Sequence, residues 1–277
     1  MTDPTDPVEA PFASGRVEPA WSTLRSLTAA RIGLARSGAS LATAPLLDFR
    51  LAHALARDAV HDALDAAKLA ADAGALGLPV LTADSAAGDR STYLMRPDLG
   101  RRLDPASAAM LAANADNSDL VIVVADGLSA RAVQAHAVPV LAATLPALRA
   151  EHWRIAPLVI ARQGRVAIGD AIATAMGAGA VAVLIGERPG LSAPDSMGAY
   201  LTWRPRPDST DAGRNCISNI RPEGISYDMA AFKLASLLRA LRTHRLSGVG
   251  LKDTTDAEAA AHAATAALAP SDKQSGT

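Results

Sequence analysis

From residue 78 onward the chain alternates short apolar runs with alanine-rich helical stretches, and that rhythm narrows the fold more than any other feature. The runs 79–83, 120–125, 157–161 and 181–185 are no longer than six residues and are bounded by Asp, Gly or Arg. Segments that are nearly continuously apolar mark strands buried on both faces, as in parallel sheets. Between them, 105–115, 130–149 and 170–176 read as helices, the second interrupted at Pro139 and Pro146. Residues 225–241 form a further helix with Met229, Phe232, Leu237, Leu238 and Leu241 on one side. The expected class is α/β: a largely parallel, Rossmann-like sheet with flanking helices, preceded by an N-terminal helical segment.

Composition agrees with this and removes several functions. Hydrophobic residues make up 49% of the chain and aromatics 3%. Alanine supplies roughly a quarter of the residues, which suits helices packed closely on a small-residue sheet. The 27 basic and 28 acidic residues nearly cancel, so neither a nucleic acid nor an anionic membrane is an expected partner. A single cysteine, Cys216, excludes an intrachain disulfide and a thiolate zinc cluster. No apolar run approaches the roughly 18–20 residues of a membrane span. The proline-broken, acidic start is unlike a secretory signal, and a cytoplasmic location is expected.

Four segments are expected. Residues 1–18, with four prolines within the first 19 residues, read as a disordered tail. Residues 19–75 read as a helical segment, in which 45–69 form one helix on which Leu47, Leu51 and Leu55 recur every four residues, with Val60 and Leu64 continuing near that face. Arg50, Arg57, Asp58 and Asp62 take the other side, and His53 and His61 read as exposed rather than as ligands. Residues 76–253 hold the α/β unit, and 254–277 a weak alanine helix with a frayed end.

Ligands of open α/β sheets bind beyond the carboxyl ends of the strands. Three such ends carry unusual residues: Asp126-Gly127-Leu128-Ser129, Arg162-Gln163-Gly164-Arg165-Val166, and Gly186-Glu187-Arg188-Pro189-Gly190-Leu191. Spacing leaves open whether Asp126 caps the next helix or meets a ligand. For Glu187 it favours a ligand contact or an interface, because Pro189 and Gly190 mark a turn. GxGxxG, Walker, GxSxG and HExxH patterns are missing. No histidine lies near Cys216 in sequence, so a packing cysteine is favoured over a catalytic thiolate. Residues 186–224 mix glycine, proline and balanced charge, which reads as a long functional loop outside the core. Ligand-shaped loops without a complete catalytic set suggest a binding subunit.

These residues carry a resemblance. Ala30-Arg31-Ile32-Gly33-Leu34 with Arg36-Ser37-Gly38-Ala39, Tyr93-Leu94 with the run Arg96 to Leu103, Asp126 to Ser129, Gly186 to Leu191, Asn215-Cys216-Ile217-Ser218-Asn219-Ile220 and Ser247-Gly248-Val249-Gly250 occur in an order that closely resembles the small (light) subunits of ethanolamine ammonia-lyase. The resemblance runs from about Trp21 to Asp253. It implies an adenosylcobalamin-dependent conversion of ethanolamine to acetaldehyde and ammonia, with the radical chemistry in a large barrel subunit. It further implies a hexamer of heterodimers, with this chain contacting the cobalamin through Val166, Glu187 and Cys216 at the subunit interface. No histidine lies in a DxHxxG pattern. That fits a family whose cofactor keeps its own lower ligand, so this chain is expected not to coordinate the cobalt. Location within a bacterial microcompartment is a further implication, although 1–18 shows no amphipathic helix. Two readings compete: a self-contained α/β enzyme acting on a nucleotide through the Asp126 loop, and an assembly chain without cofactor contact.

Overall fold

The computed structural model describes residues 19–206 and 208–252; the expected N-terminal tail and the weak C-terminal helix lie outside them. The N-terminal layer consists of α1 (Pro19–Ser26), a small hairpin of β1 (Arg36–Ser37) and β2 (Ser40–Leu41), α2 (Thr43–His61) and α3 (Ala66–Gly74). There follow β3 (Val80–Asp84), α4 (Arg90–Met95), α5 (Pro105–Ala113), β4 (Leu120–Ala125), α6 (Ala130–Ala150), β5 (Leu158–Arg162) and α7 (Ile168–Met176). The described chain continues through β6 (Ala180–Gly186), β7 (Met197–Trp203), β8 (Asn215–Ile220) and α8 (Tyr227–His244). Among the described residues no helix is long and apolar enough to cross a membrane.

The six main strands form one sheet in the order β3-β5-β4-β6-β7-β8. The first four are mutually parallel, whereas β7 and β8 extend the sheet antiparallel. Alternate residues of β4 face opposite layers. Leu120, Ile122 and Val124 join a core with α3, α6 and α8, and Val121, Val123 and Ala125 meet Leu111 of α5 and Ile168, Ile172 and Met176 of α7. Small residues let these layers close. A Cβ at Gly169 would stand 2.3 Å from Val183 Cγ2, so α7 approaches β6 at a distance that glycine alone permits.

The α/β expectation holds, and three local readings are corrected. Residues 45–69 are two helices, not one, because the Asp65 carboxylate accepts from the Lys68 amide at 2.9 Å and starts α3 afresh. Leu47, Leu51 and Leu55 point to solvent, and α2 buries Ala59 alone. Second, α6 runs unbroken through Pro139 and Pro146. The carbonyls these prolines leave without a helical partner belong to Ala135 and Ala142, both on the exposed side, where water can serve them. Ten buried residues of α6 offset the cost. Third, the stretch 186–224 is not outside the core. Met197, Ala199 and Leu201 of β7 and Ile217 and Ile220 of β8 are buried in the α6–α8 layer.

Candidate functional site

The crossovers β3→β4 and β5→β6 place their helices α5 and α7 on one face, and β4→β5 places α6 on the other. Beyond β4 and β5 the loops therefore part, which in a doubly wound sheet opens the crevice where a nucleotide sits. Here the protein fills it. The buried Asp126 carboxylate accepts from the amides of Gln163 at 2.9 Å and Gly164 at 3.0 Å, with Arg90 at 3.6 Å. Burial pushes its pKa up, against the lowering effect of these partners. The cap of α6 is Ser129, which accepts from the Ala132 amide and donates to Pro194 O at 3.0 Å. The alternatives left open for Asp126 thus have a third answer: it anchors the 163–166 loop.

Tyr93 and Arg90 complete the anchor. The Arg90 guanidinium donates to Val60 O at 2.7 Å, Gly127 O at 2.9 Å and Gln163 Oε1 at 3.3 Å. Tyr93, wholly buried, donates to Gly164 O at 3.2 Å and lies between the Arg90 and Arg165 guanidinium groups, 4.7 and 4.2 Å from its ring centre. Burial raises the Tyr93 pKa to about 12, so the hydroxyl stays a donor. The Arg165 amide bonds Gly100 O at 2.7 Å. The run Arg96 to Leu103 is thereby tied to the loop that presents Val166, which is half-buried against the α5–α7 layer.

Two strands along, at roughly 10 Å by strand spacing, Glu187 leaves β6 into a polar cluster. Its carboxylate accepts from the hydroxyls of Ser196 and Ser218, the latter at 2.5 Å, and from the Asn219 amide at 3.2 Å. No ion pair forms at Glu187 among the described residues. Tyr200 of β7 pairs in register with Cys216 of β8, which sets the two side chains on one face of the sheet. Desolvation by its neighbours raises the Cys216 pKa, nearby Tyr200 opposes this, and the Glu187 charge raises it again. The thiol therefore stays protonated near neutral pH, as a weakly polar contact rather than a nucleophile. β8 buries Asn215, Ile217 and Ile220 and leaves Cys216, Ser218 and Asn219 exposed, so this face of the sheet edge is open.

The structure brings Glu187 and Cys216 together: Glu187 bonds Ser218 and Asn219 of the strand that carries Cys216, and Tyr200 lies in register with Cys216. Val166 stands apart from them, bordering the same apolar layer as Tyr200. Sequence reasoning missed Tyr200 and Ser196 and gave Ser218 and Asn219 no role; for Tyr200 the period-two pattern Met197 to Trp203 was the available signal. It also missed the support beneath Cys216. Arg214 is buried and makes a two-pronged pair with Asp170 of α7 at 2.7 and 2.6 Å, plus a bond to Thr202 Oγ1 at 3.2 Å. Among the described residues no group of His, Cys, Asp and Glu is placed to hold a metal ion.

A sheet whose β4–β5 crevice is filled by the Asp126 carboxylate and the amides it holds, with a polar cluster open at one edge, defines an α/β protein of the doubly wound kind. The comparisons give the particular lineage. Residues 18–252 match the family model described as ethanolamine ammonia-lyase light chain (EutC). The chain is 55% identical over 247 residues to the ethanolamine ammonia-lyase small subunit of Azotobacter vinelandii, covering 88% of this chain and 92% of that one. It is 50% identical over 260 residues to the small subunit of Ralstonia nicotianae, covering 92% and 95%. With the small subunit of Bradyrhizobium diazoefficiens it is 56% identical over 232 residues, 83% and 89% of the two chains. The chain belongs to the ethanolamine ammonia-lyase small-subunit family.

Proposed function

We propose that this chain is the cofactor-contacting subunit of a lyase that converts ethanolamine to acetaldehyde and ammonia, active in complex with a large subunit in a hexamer of heterodimers. The observation that carries the reading is the open cluster of Glu187, Tyr200 and Cys216, held by the sheet and facing outward. The donor set fits cobalamin. A carboxylate offers about four acceptor positions, and three are taken at Glu187, which leaves one for an amide of the corrin rim. The protonated Cys216 thiol supplies a small, polarizable surface beside it, and Val166 an apolar contact two strands away. Adenosylcobalamin, when bound, supplies the radical chemistry. The residues of this chain orient it: Glu187 through its free acceptor position, Val166 through the loop that Asp126 and Tyr93 anchor, Cys216 through the strand that Arg214 pins.

The self-contained nucleotide enzyme loses its main support, because the Asp126 carboxylate is already used by two loop amides. The test is co-purification with the large subunit followed by cobalamin titration. The isolated chain is expected to release no ammonia from ethanolamine, and the reconstituted complex with adenosylcobalamin to do so. Ammonia release by this chain alone refutes the division of labour. Unchanged cobalamin affinity in an intact complex carrying Glu187→Ala together with Cys216→Ser refutes the site.

A further inference from the structure

A helix in water holds together chiefly by burying an apolar face, yet α2 buries one residue in 19. Its small residues Ala52, Ala56 and Val60 turn toward the rest of the chain and are partly covered, and Ala59, at the end of the leucine row, is wholly covered. Leu47, Leu51 and Leu55 recur at four-residue spacing on another side and are 56%, 62% and 41% exposed. Four-residue spacing puts all three on one stripe of a helix about 28 Å long. Nearby in the chain, Trp21, Leu24 and Leu27 of the α1 region are also exposed. Scattered apolar residues on a surface are ordinary, whereas a stripe concentrated on one layer marks a contact with another molecule.

The position of this layer identifies the occupant. One end of it is tied to the loop after Glu187: Ser192 Oγ donates to Ala29 O at 3.4 Å, and Arg31 reaches Leu191 O at 3.5 Å. Leu191 is itself exposed. The other end is tied beside the 163–166 anchor, where Arg90 bonds Val60 O and Arg131 bonds Asp62 at 2.7 Å. The N-terminal layer therefore spans the same carboxyl edge of the sheet that carries Val166 and Glu187. A chain that completes the cofactor site at that edge must meet it. A lipid surface is a poorer match, since Asp48 and Asp58 balance Arg50 and Arg57 along the helix.

We infer that the Leu47–Leu51–Leu55 stripe of α2 is a docking surface for the large subunit, continuous with the cofactor-facing edge. The inference rests on the proposed function for the identity of the partner. The test co-expresses the large subunit with small subunits carrying Leu51→Glu and Leu55→Glu, and with a milder Leu51→Ser and Leu55→Ser pair. Association is measured by size-exclusion chromatography and titration, folding by circular dichroism and thermal melting of the free chain. Because the stripe is exposed, the free variants are expected to keep their spectrum and melting point. Association with the large subunit should weaken at least about tenfold for the charged pair and less for the serine pair, while Met95→Glu, exposed outside this layer, leaves it unchanged. Wild-type association in both pairs overturns the inference, as does a change confined to self-association of the free chain, which would assign the stripe to a second copy. Should the charged pair unfold, the serine pair decides. Failure of the cofactor site would appear separately, as unchanged cobalamin affinity in Glu187 variants whose subunit association is intact.

Discussion

Removing Arg214 tests whether the floor of the site is held by charge. Its guanidinium and the Asp170 carboxylate are 2% and 5% exposed and make two parallel bonds. The pair joins the start of β8 to α7, two residues before Cys216. The second carboxylate near Arg214, Asp211, is 91% exposed and contributes little. Arg214→Met leaves the buried Asp170 without its cation, and breaking a buried pair on one side costs about 3–5 kcal/mol. For a chain of this size each kcal/mol lowers the melting temperature by about 2–4 °C, so a drop of roughly 6–20 °C is expected. Arg214→Lys should recover part of the loss, since one ammonium cannot make the parallel fork. The informative variant is the double Arg214→Met/Asp170→Leu. It removes both charges, fills the space with apolar atoms, and is expected to be at least about 2 kcal/mol more stable than the sum of the single losses predicts. Urea unfolding of the free chain, read as a midpoint shift at constant slope, measures all four corners. Single losses under about 1 kcal/mol that simply add in the double would refute the reasoning, and the pair would then be a bystander to sheet packing.

Other substitutions read the remaining parts of the site. In the intact complex, Glu187→Ala should weaken cobalamin binding by about one to two orders of magnitude, the equivalent of one charge-assisted hydrogen bond. Glu187→Gln should fall between Ala and wild type, because it keeps an acceptor oxygen. Asp126→Asn keeps one acceptor but turns an amide toward the Gln163 or Gly164 N–H; it should destabilise the free chain by about 1–3 kcal/mol and loosen protease protection of the 163–166 loop. Gly169→Ala meets Val183 Cγ2 and should cost about 1–3 kcal/mol, recovered in part by Val183→Ala. Burial holds His136 below the usual imidazole pKa, with Asp195 opposing that shift and Arg221 nearby adding to it. The unfolded chain therefore takes the proton more readily. Stability from this group is full above about pH 6.5 and is lost as the pH falls through that value, by at most about 1.4 kcal/mol per pH unit. His136→Gln should flatten that part of a stability–pH curve.

The elements legible in the sequence are those whose burial is settled within the chain itself. A run such as Leu120 to Ala125 has no polar face to offer, so a strand between two helical layers is its plain solution. β8 is different. Asn215-Cys216-Ile217-Ser218-Asn219-Ile220 holds three polar residues, and its strand character comes from completing the hydrogen bonds of β7 rather than from its own composition. The site shares this limit. Glu187 is noticeable from its place after a buried run, but Tyr200 is one residue of an unremarkable segment until the antiparallel register pairs it with Cys216. The prolines of α6 mislead for a related reason: their cost is local, and the ten buried side chains that outweigh it are tertiary.

The leucines of α2 extend the same argument beyond one chain. Helical periodicity records that a face is apolar; it does not record which molecule covers that face. Within a single chain, cover for Leu47, Leu51 and Leu55 would have to lie inward, and α2 turns its alanines inward instead. An alanine face lets a helix lie close against its own chain, while the longer side chains on another side have reach to spare for a partner. A helix apolar on two sides is what a subunit needs when it must pack on itself and on its neighbour along the same edge. The periodic signal records an apolar face, and the inferred docking surface is what that face leaves for a partner.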